Sequence, residues 1–215
     1  MSILRIVLNQ IHGRNMSNII LSTERLNLRT WQASDVPLMA AINADPLVME
    51  YFPSTQDLER TQKMIDYIIQ HYEKYGYGVY AVETKGTHQF IGFVGLDHPL
   101  FEIPNLKPKR SEVVEILWRL SSKYWNNGYA TEAATAVLHY AFTELKLDEI
   151  FSFTVVANSR SRHVMEKIGL HHSEDDDFDH PKLDESSPLR RHVLYRLTQE
   201  EYNCPNSISK DSYIA

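Results

Sequence analysis

The chain has 215 residues, of which 43% are hydrophobic and 23% are charged, the balance of a globular protein with one buried core. A net charge of −6 leaves no broad basic surface for a phosphate backbone, so we expect no nucleic-acid partner. The single cysteine, Cys204, cannot form an internal disulfide, and no run of about 18 apolar residues predicts a membrane helix, so the expected location is the reducing cytoplasm.

The two ends of the chain differ from the patterned sequence between them. Residues 1–20 are predicted to be an extension, because their apolar patch lacks the long core and the cleavage site of a signal peptide. Met16 is an alternative start to Met1, since the patterned sequence begins just after it. We expect a single domain over residues 21–202 and a polar tail over residues 203–215.

The predicted strands lie partly in hairpins and partly between helices, which favours an α/β (α+β) fold with one mixed sheet and helices on both faces. In chain order the predicted elements are a strand near Leu26–Leu28, a helix capped by Ser34 or Asp35, a helix from the capping-box-like Ser54–Asp57 to Tyr75, strands at Val79–Glu83 and Phe90–Leu96, a loop at Asp97–Lys109, a strand at Ser111–Leu120, a helix at Gly128–Glu144, a strand at Glu149–Val156, a helix at Ser159–Ile168, an acidic loop at Ser173–Ser187 and a strand at His192–Leu197.

The first segment with chemical content is VEILWRLSSKYWNNGYATEAATAVLHYAF, residues 114–142. It predicts a strand, a short loop ending at Gly128, and a helix. The first backbone amides of a helix have no partner within the helix, and the helix dipole adds positive charge there, so such a loop can bind a phosphate. Taken alone, a strand followed by glycine and a helix is also an ordinary connection.

The second such segment is VVANSRSRHVMEKIGL, residues 155–170. A strand ends at Asn158, and a helix with hydroxyls at Ser159 and Ser161 begins at once. Asn158 alone would be read as an N-cap. The two segments in this order, with a strand between them, are much less common by chance.

Three sequence pieces carry a family resemblance. TERLNLRTW (23–31), YWNNGYATEA (124–133) and NSRSRHVMEKIGL (158–170) resemble the acetyl-CoA-binding core of the GNAT acetyltransferases, and within that superfamily the ribosomal-protein N-terminal acetyltransferase type. The resemblance covers roughly residues 21–197. Trp125 stands where the family often has Gln or Arg, which has little effect because backbone amides bind the phosphates.

The resemblance implies a mostly antiparallel, seven-stranded mixed sheet whose fourth and fifth strands splay apart around the pantetheine arm of acetyl-CoA. It implies no metal, an amine acceptor, and a monomer or homodimer. Three groups of residues would contact the cosubstrate: the strand Ile116, Leu117, Trp118, Arg119 and Leu120, through its backbone; the pyrophosphate loop Asn126, Asn127, Gly128, Tyr129, Ala130 and Thr131; and, beside the pantetheine, Asn158 and Ser161.

The reaction needs a base, an oxyanion donor and a proton for the leaving thiolate. Glu115 is the candidate base, acting directly or through a water, with an ion pair to an arginine as its alternative reading. Ser161 is the family-matched donor to the thiolate. An α-amino group has a pKa of about 7.7–8, well below that of a lysine, so it needs less help from a base.

Trp31, Tyr51 and Phe52 are candidates for the acceptor pocket, or else core aromatics. The segment His171–His180 contains metal-ligand types without a tetrahedral spacing, so an acidic loop that attracts a cationic acceptor is favoured over a metal site. Ribosomal proteins, other peptides, polyamines and antibiotics remain open as acceptors. A non-catalytic acyl-CoA-binding module and an unrelated α/β protein are the alternatives to an enzyme.

Overall fold

The strands form one mixed sheet in the computed structural model, which describes residues 18–104, 106 and 113–204. They are β1 (Ile19–Ser22), β2 (Leu26–Arg29), β3 (Val79–Thr84), β4 (Phe90–Asp97), β5 (Glu115–Leu120), β6 (Glu149–Val155), β7 (His171–His172), β8 (Phe178–Asp179) and β9 (Arg191–Thr198). The order is β1-β2-β3-β4-β5-β6-β9-β7, with β8 also pairing with β9. Only β5 and β6 pair in parallel, so the mixed, mostly antiparallel α/β fold is confirmed.

Helices cover both faces of this sheet, as predicted. They are α1 (Asp35–Asn43), α2 (Leu58–Tyr75), α3 (Tyr129–Thr143), α4 (Ser159–Lys167) and the short α5 (Gln199–Asn203). Alternation along the strands separates two cores: Val79 and Phe93 pack with α1 and α2, whereas Tyr80 and Val94 pack with α3 on the other face.

Helix α2 shows how a local signal sets a helix end. Asp57 is its N-cap and accepts a hydrogen bond from the Arg60 amide, and Gly76 ends it in the left-handed conformation at φ 77°. The predicted capping box beginning at Ser54 is therefore wrong, because the chain enters the helix three residues later. For α1, Ser34 holds the N-cap position without a side-chain cap bond, and the Asp35 carboxylate instead accepts a hydrogen bond from the Gln32 amide.

The strand count differs from the expected seven, since nine strands lie within the described residues. The extra ones are short: β7 and β8 have two residues each. Strand β8 lies inside the predicted acidic loop because Phe178, fully buried, anchors that segment against Phe151 and Leu194. The predicted strand over 111–120 begins at Glu115, and residues 111–112 lie outside the described part.

The domain boundaries shift slightly. Strand β1 begins at Ile19, inside the predicted extension, because it pairs with β2. Helix α5 runs one residue into the predicted tail and begins with a capping box between Thr198 and Glu201. Residues 1–17 and 205–215 lie outside the described part. Within the described part, no helix is long and apolar enough to cross a membrane.

One buried ion cluster ties β2 to α1 and β3. The Arg29 side chain donates through both terminal nitrogens to Asp35, at 2.7 and 2.8 Å, and through Nε to Glu83 at 2.7 Å. Arg29 is only 3% exposed. Burial lowers and the two carboxylates raise the pKa of Arg29, with a net rise. A buried guanidinium is thus fully neutralised here, as buried charges generally require.

Candidate active site

The expected gap between β5 and β6 is present. Their parallel pairing is limited to Glu115 opposite Phe151, reinforced by a hydrogen bond from the Ser152 hydroxyl to the Ile116 carbonyl at 2.8 Å. Beyond this point a cleft of about 800 Å³ opens between the strands. The predicted site residues that line it are Tyr51, Phe52, Glu115, Leu117, Trp118, Arg119, Leu120, Asn126, Gly128, Tyr129, Ala130, Thr131, Asn158 and Ser161.

The backbone of β5 alternates between two sides. Ser121, just after the strand, donates to Ile91 on β4, whereas the Ile116 carbonyl accepts from β6. Alternation in an antiparallel ladder therefore directs the backbone groups of Ile116, Trp118 and Leu120 toward the cleft side. Leu117 and Arg119 direct their backbone groups to β4, so the free backbone groups that the prediction assigns to the pantetheine belong to alternate residues of the strand. The Ile116 side chain is buried in the core.

The loop before α3 has the shape of a phosphate cradle. Asn126 (φ 60°) and Gly128 (φ 77°) are both in the left-handed conformation, which glycine adopts without strain. Gly128 is the N-cap of α3 and its carbonyl accepts from the Glu132 amide. Asn127 does not line the cleft: its side-chain amide donates to the carbonyls of Tyr124 and Trp125 and braces the loop.

The same loop is held from outside by residues that the sequence analysis missed as site residues. Arg25 donates to the Asn127 carbonyl at 2.9 Å and to Glu132 at 2.6 Å, and the Thr23 hydroxyl also donates to Glu132. Burial alone would raise the pKa of Glu132, but these hydrogen bonds outweigh it and lower the pKa. Residues 23–31, one of the three sequence pieces of the family resemblance, therefore stabilise the loop in another of them, residues 124–133.

The start of α4 forms the opposite wall of the cleft. The Asn158 side-chain oxygen accepts from the Ser161 amide at 3.2 Å, and its NH₂ donates to the Thr154 hydroxyl at 3.0 Å. The N-cap reading of Asn158 is thus confirmed. This capping fixes the first turn of α4, which places Ser161 on the cleft wall.

Glu115 lies at the closed end of the cleft. Removal of its carboxyl group from water, and then the charge of Asp97 directly across on β4, raise the pKa of Glu115 well above its usual value. The alternative reading, an ion pair with an arginine, has no counterpart among the residues that the structure describes. A carboxyl group with a raised pKa in a cleft is suited to proton transfer near neutral pH.

Two of the three aromatic acceptor candidates reach the cleft, namely Tyr51 and Phe52. Trp31 does not: its indole NH donates to the Val79 carbonyl at 2.9 Å, and its ring packs against Phe90 and Phe93. Trp31 is therefore a half-buried residue that packs against the core, close to its alternative reading.

The acidic segment Ser173–Ser187 contributes other residues to the cleft than its expected carboxylates. The residues from it that line the cleft are His180, Lys182 and Leu183, and none of its carboxylates is among the described lining residues. Two of its acids form ion pairs elsewhere, Asp177 with His172 and Asp176 with Arg196. Among the described residues no cluster of His, Cys, Asp and Glu is arranged to hold a metal ion.

A mixed sheet split by a cleft, a glycine-containing loop at a helix N-terminus on one side and a capped helix on the other define a CoA-dependent acyltransferase. Residues 25–171 match the acetyltransferase (GNAT) domain model. The chain belongs to the GNAT acetyltransferase family and is an acetyl-CoA-dependent acyltransferase.

The chain is also similar to individual proteins. The Bacillus subtilis protein YkkB is 31% identical over 71% of this chain and 86% of its own length. The FsC-acetyl coenzyme A-N(2)-transacetylase of Aspergillus fumigatus is 34% identical over 59% of this chain and 52% of its own. A solved GNAT acetyltransferase from Bacillus anthracis superimposes with a TM-score of 0.68 at 27% identity, covering 86% of this chain and 100% of that one.

Proposed function

We propose that this protein transfers the acetyl group of acetyl-CoA to a primary amine by direct attack on the thioester, with the α-amino group of a peptide N-terminus or of a small amine as acceptor. The observation that carries the proposal is the cleft between β5 and β6, in which Gly128, Ser161 and Glu115 all lie. The ribosomal-protein type of acceptor is supported by the three sequence pieces. A cytoplasmic location, a monomer or homodimer and no nucleic-acid partner are parts of the same proposal.

In this proposal the backbone amides of residues 126–131 bind the pyrophosphate at the start of α3. The cleft-facing backbone groups of Trp118 and Leu120 bind the pantetheine and the developing oxyanion. The Leu120 carbonyl is already taken by the Trp125 indole at 2.9 Å, so its NH is the group on offer. Asn158 keeps capacity for a further hydrogen bond to the pantetheine, since its amide has two donors and two lone pairs.

Proton transfer is assigned to two side chains. Glu115 accepts a proton from the amine, directly or through a water, and Ser161 donates a hydrogen bond to the departing sulfur. Both lie on the cleft wall. A panel of peptide and small amines, assayed for CoA release and acetylated product, tests the function as a whole. Binding of acetyl-CoA without any acetylated amine would favour a non-catalytic acyl-CoA-binding module.

Ser161→Ala should lower kcat by about 10- to 100-fold, because the hydroxyl acts on the leaving group in the transition state. The affinity for acetyl-CoA should change little. The matched control is Ser159→Ala, the same chemical change in the same helical turn but at a residue outside the cleft lining. Steady-state kinetics and equilibrium binding check this, and a Ser161→Ala enzyme with full kcat would show that water protonates the thiolate.

Glu115→Gln should lower kcat by about tenfold or more between the raised pKa of Glu115 and the pKa of the acceptor amine. Below this window the wild-type base is itself protonated, and above it the amine is already neutral, so the two enzymes converge. The measurement is a pH–rate profile, with Glu59→Gln as the exposed control on α2. The same profile in both enzymes would remove Glu115 from the mechanism.

The acceptor preference has a test of its own in the same assay. At pH 7 a free α-amine is neutral in about a tenth to a fifth of molecules, a lysine amine in well under a thousandth. A peptide with a free N-terminus should therefore be acetylated faster than an N-blocked lysine peptide. Equal or better turnover of the blocked lysine peptide would contradict the α-amino preference.

A further inference from the structure

Arg119 is a half-buried cation that has no carboxylate partner among the residues that the structure describes. It projects from β5 into the cleft wall, where its guanidinium carbon lies 4.4 Å from the centre of the Phe52 ring and 5.4 Å from that of Phe93. One terminal nitrogen donates to the Asn43 side-chain oxygen at 2.7 Å. Its Nε is buried and has no hydrogen-bond partner within the described chain. Burial lowers the pKa of Arg119 to about 10, so the group stays charged at neutral pH.

Arg29 shows what this fold does with a buried arginine that has only a structural role. Arg29 has two carboxylates, Asp35 and Glu83, on three of its nitrogens. Arg119 has none among the residues that the structure describes. Its side-chain partners there are uncharged: the Asn43 amide and, at 3.9 Å, the Met64 sulfur. Removing a guanidinium from water without a counter-ion costs free energy. A bound anion would lower that cost, so the surroundings of Arg119 favour a complex with an anionic ligand.

The neighbours of Arg119 hold it in place for such an anion. Asn43 is fully buried, and its NH₂ donates to Thr61 at 3.0 Å and to Gln56 at 3.2 Å, which turns its oxygen toward Arg119. The two phenylalanine rings flank the guanidinium. Its position is therefore fixed before any ligand arrives, which reduces the entropy lost on binding.

The position of Arg119 points to the acceptor rather than to the phosphates of acetyl-CoA. The side chains of Glu115, Leu117 and Arg119 lie on the same face of the sheet, the one covered by α1 and α2. Helix α3 packs on the opposite face, and its first turn is the proposed pyrophosphate site. Glu115 and Arg119 are four residues apart on β5, which corresponds to about 13 Å along a strand. An amine placed midway between the two side chains is therefore about 7 Å from an anion on Arg119, a separation that a chain of a few bonds spans.

We infer that Arg119 binds a carboxylate of the acceptor, so that the acceptor is an amine carrying a carboxylate within a few bonds. This inference rests on the proposed amine acetylation and narrows its substrate class. The carboxylate could belong to a free amino acid or to an acidic first residue of a peptide. This inference replaces the expectation that the acidic loop attracts a cationic acceptor, since that segment contributes Lys182 and none of its carboxylates to the described cleft lining.

The test compares acceptors that differ only in the carboxylate. A series of ω-amino acids of increasing length is paired with the corresponding primary amides, and peptide amides beginning with Asp are paired with ones beginning with Asn. The wild-type enzyme should favour the acid over the amide by at least tenfold in kcat/KM, mainly through KM, in one of the two series. Which series responds identifies the source of the carboxylate.

Two variants remove the anion site by different chemistry. Arg119→Met deletes the cation, and Asn43→Asp keeps Arg119 but supplies the missing carboxylate in nearly the same shape, because Gln56 and Thr61 can turn to donate. Each variant should reduce the acid-to-amide preference in kcat/KM at least tenfold relative to wild type. Because variant and wild type are compared with the same two acceptors, the difference between the pKa values of those acceptors cancels. A preference that is absent in the wild type, or equal loss of kcat for acid and amide in both variants, would overturn the inference.

A binding measurement separates this inference from the proposed function. N-acetylated acids and their amides are titrated into the CoA-loaded protein by calorimetry, which needs no turnover. Tighter binding of the acids, lost in both variants, supports the anion site even if no amine is acetylated. If amines are acetylated but neither kinetics nor binding shows a preference for acids, the proposed function is supported and the role of Arg119 is contradicted.

Discussion

Gly128→Asp is expected to abolish the stabilisation that acetyl-CoA gives this protein. At a concentration about 100 times its Kd, acetyl-CoA should stabilise the wild-type fold by roughly 2.7 kcal/mol. The substitution sets a carboxylate in the loop that we propose binds the diphosphate through its backbone amides, and Gly128 has a left-handed φ of 77° that disfavours a side chain. Charge repulsion and an altered loop should together reduce the affinity by at least about 100-fold.

Gly76→Asp is the matched control for this prediction. Gly76 also has a φ of 77°, lies at the end of α2, and has open space where a side chain would begin. Both variants carry the same backbone strain and the same added charge, but only Gly128→Asp should lose the response to acetyl-CoA. Denaturation of each variant with and without acetyl-CoA measures this. No change in the wild-type melting temperature with saturating acetyl-CoA would contradict the assigned phosphate cradle.

Arg29→Met should be the most destabilising of the proposed substitutions, at about 3–5 kcal/mol, because it leaves Asp35 and Glu83 buried without their cation. Arg119→Met is the matched control, since it removes a half-buried arginine that leaves no carboxylate behind within the described residues. Its loss in free energy of unfolding should be clearly smaller. Urea denaturation of the three proteins at pH 7 measures the difference, and equal losses would contradict the distinction between the two arginines.

The Arg29 cluster also has a pH signature. Burial raises the pKa of Glu83, but hydrogen bonds from Arg29 and Asn27 outweigh it and lower the pKa below the usual value. A lowered pKa in the folded state means that the stabilisation is present above the unfolded-state pKa and is lost as the pH falls through the folded-state value. The wild type should therefore lose stability in acid, and Arg29→Met should lose less of it over the same range.

Much of the fold was predictable because its signals are local. Helices α2 and α4 have their caps, Asp57 and Asn158, within the same few residues of chain. Gly128 was identified as a site residue from its place between a strand and a helix. The β5–β6 gap and the two helix starts followed from the family resemblance, because short sequence pieces fix the loops that form them.

What sequence alone determined about this protein is the order of its elements, its family and the loops that line the cleft. Only the tertiary structure decided which side chains meet. It paired Arg25 with Glu132, which are 107 residues apart, and packed Trp31 against the core. It also turned the backbone of Leu117 and Arg119 away from the cleft and left Arg119 without a carboxylate among the described residues. These outcomes depend on strand pairing and on the packing of distant segments, and no periodicity or spacing within a short stretch of chain records them.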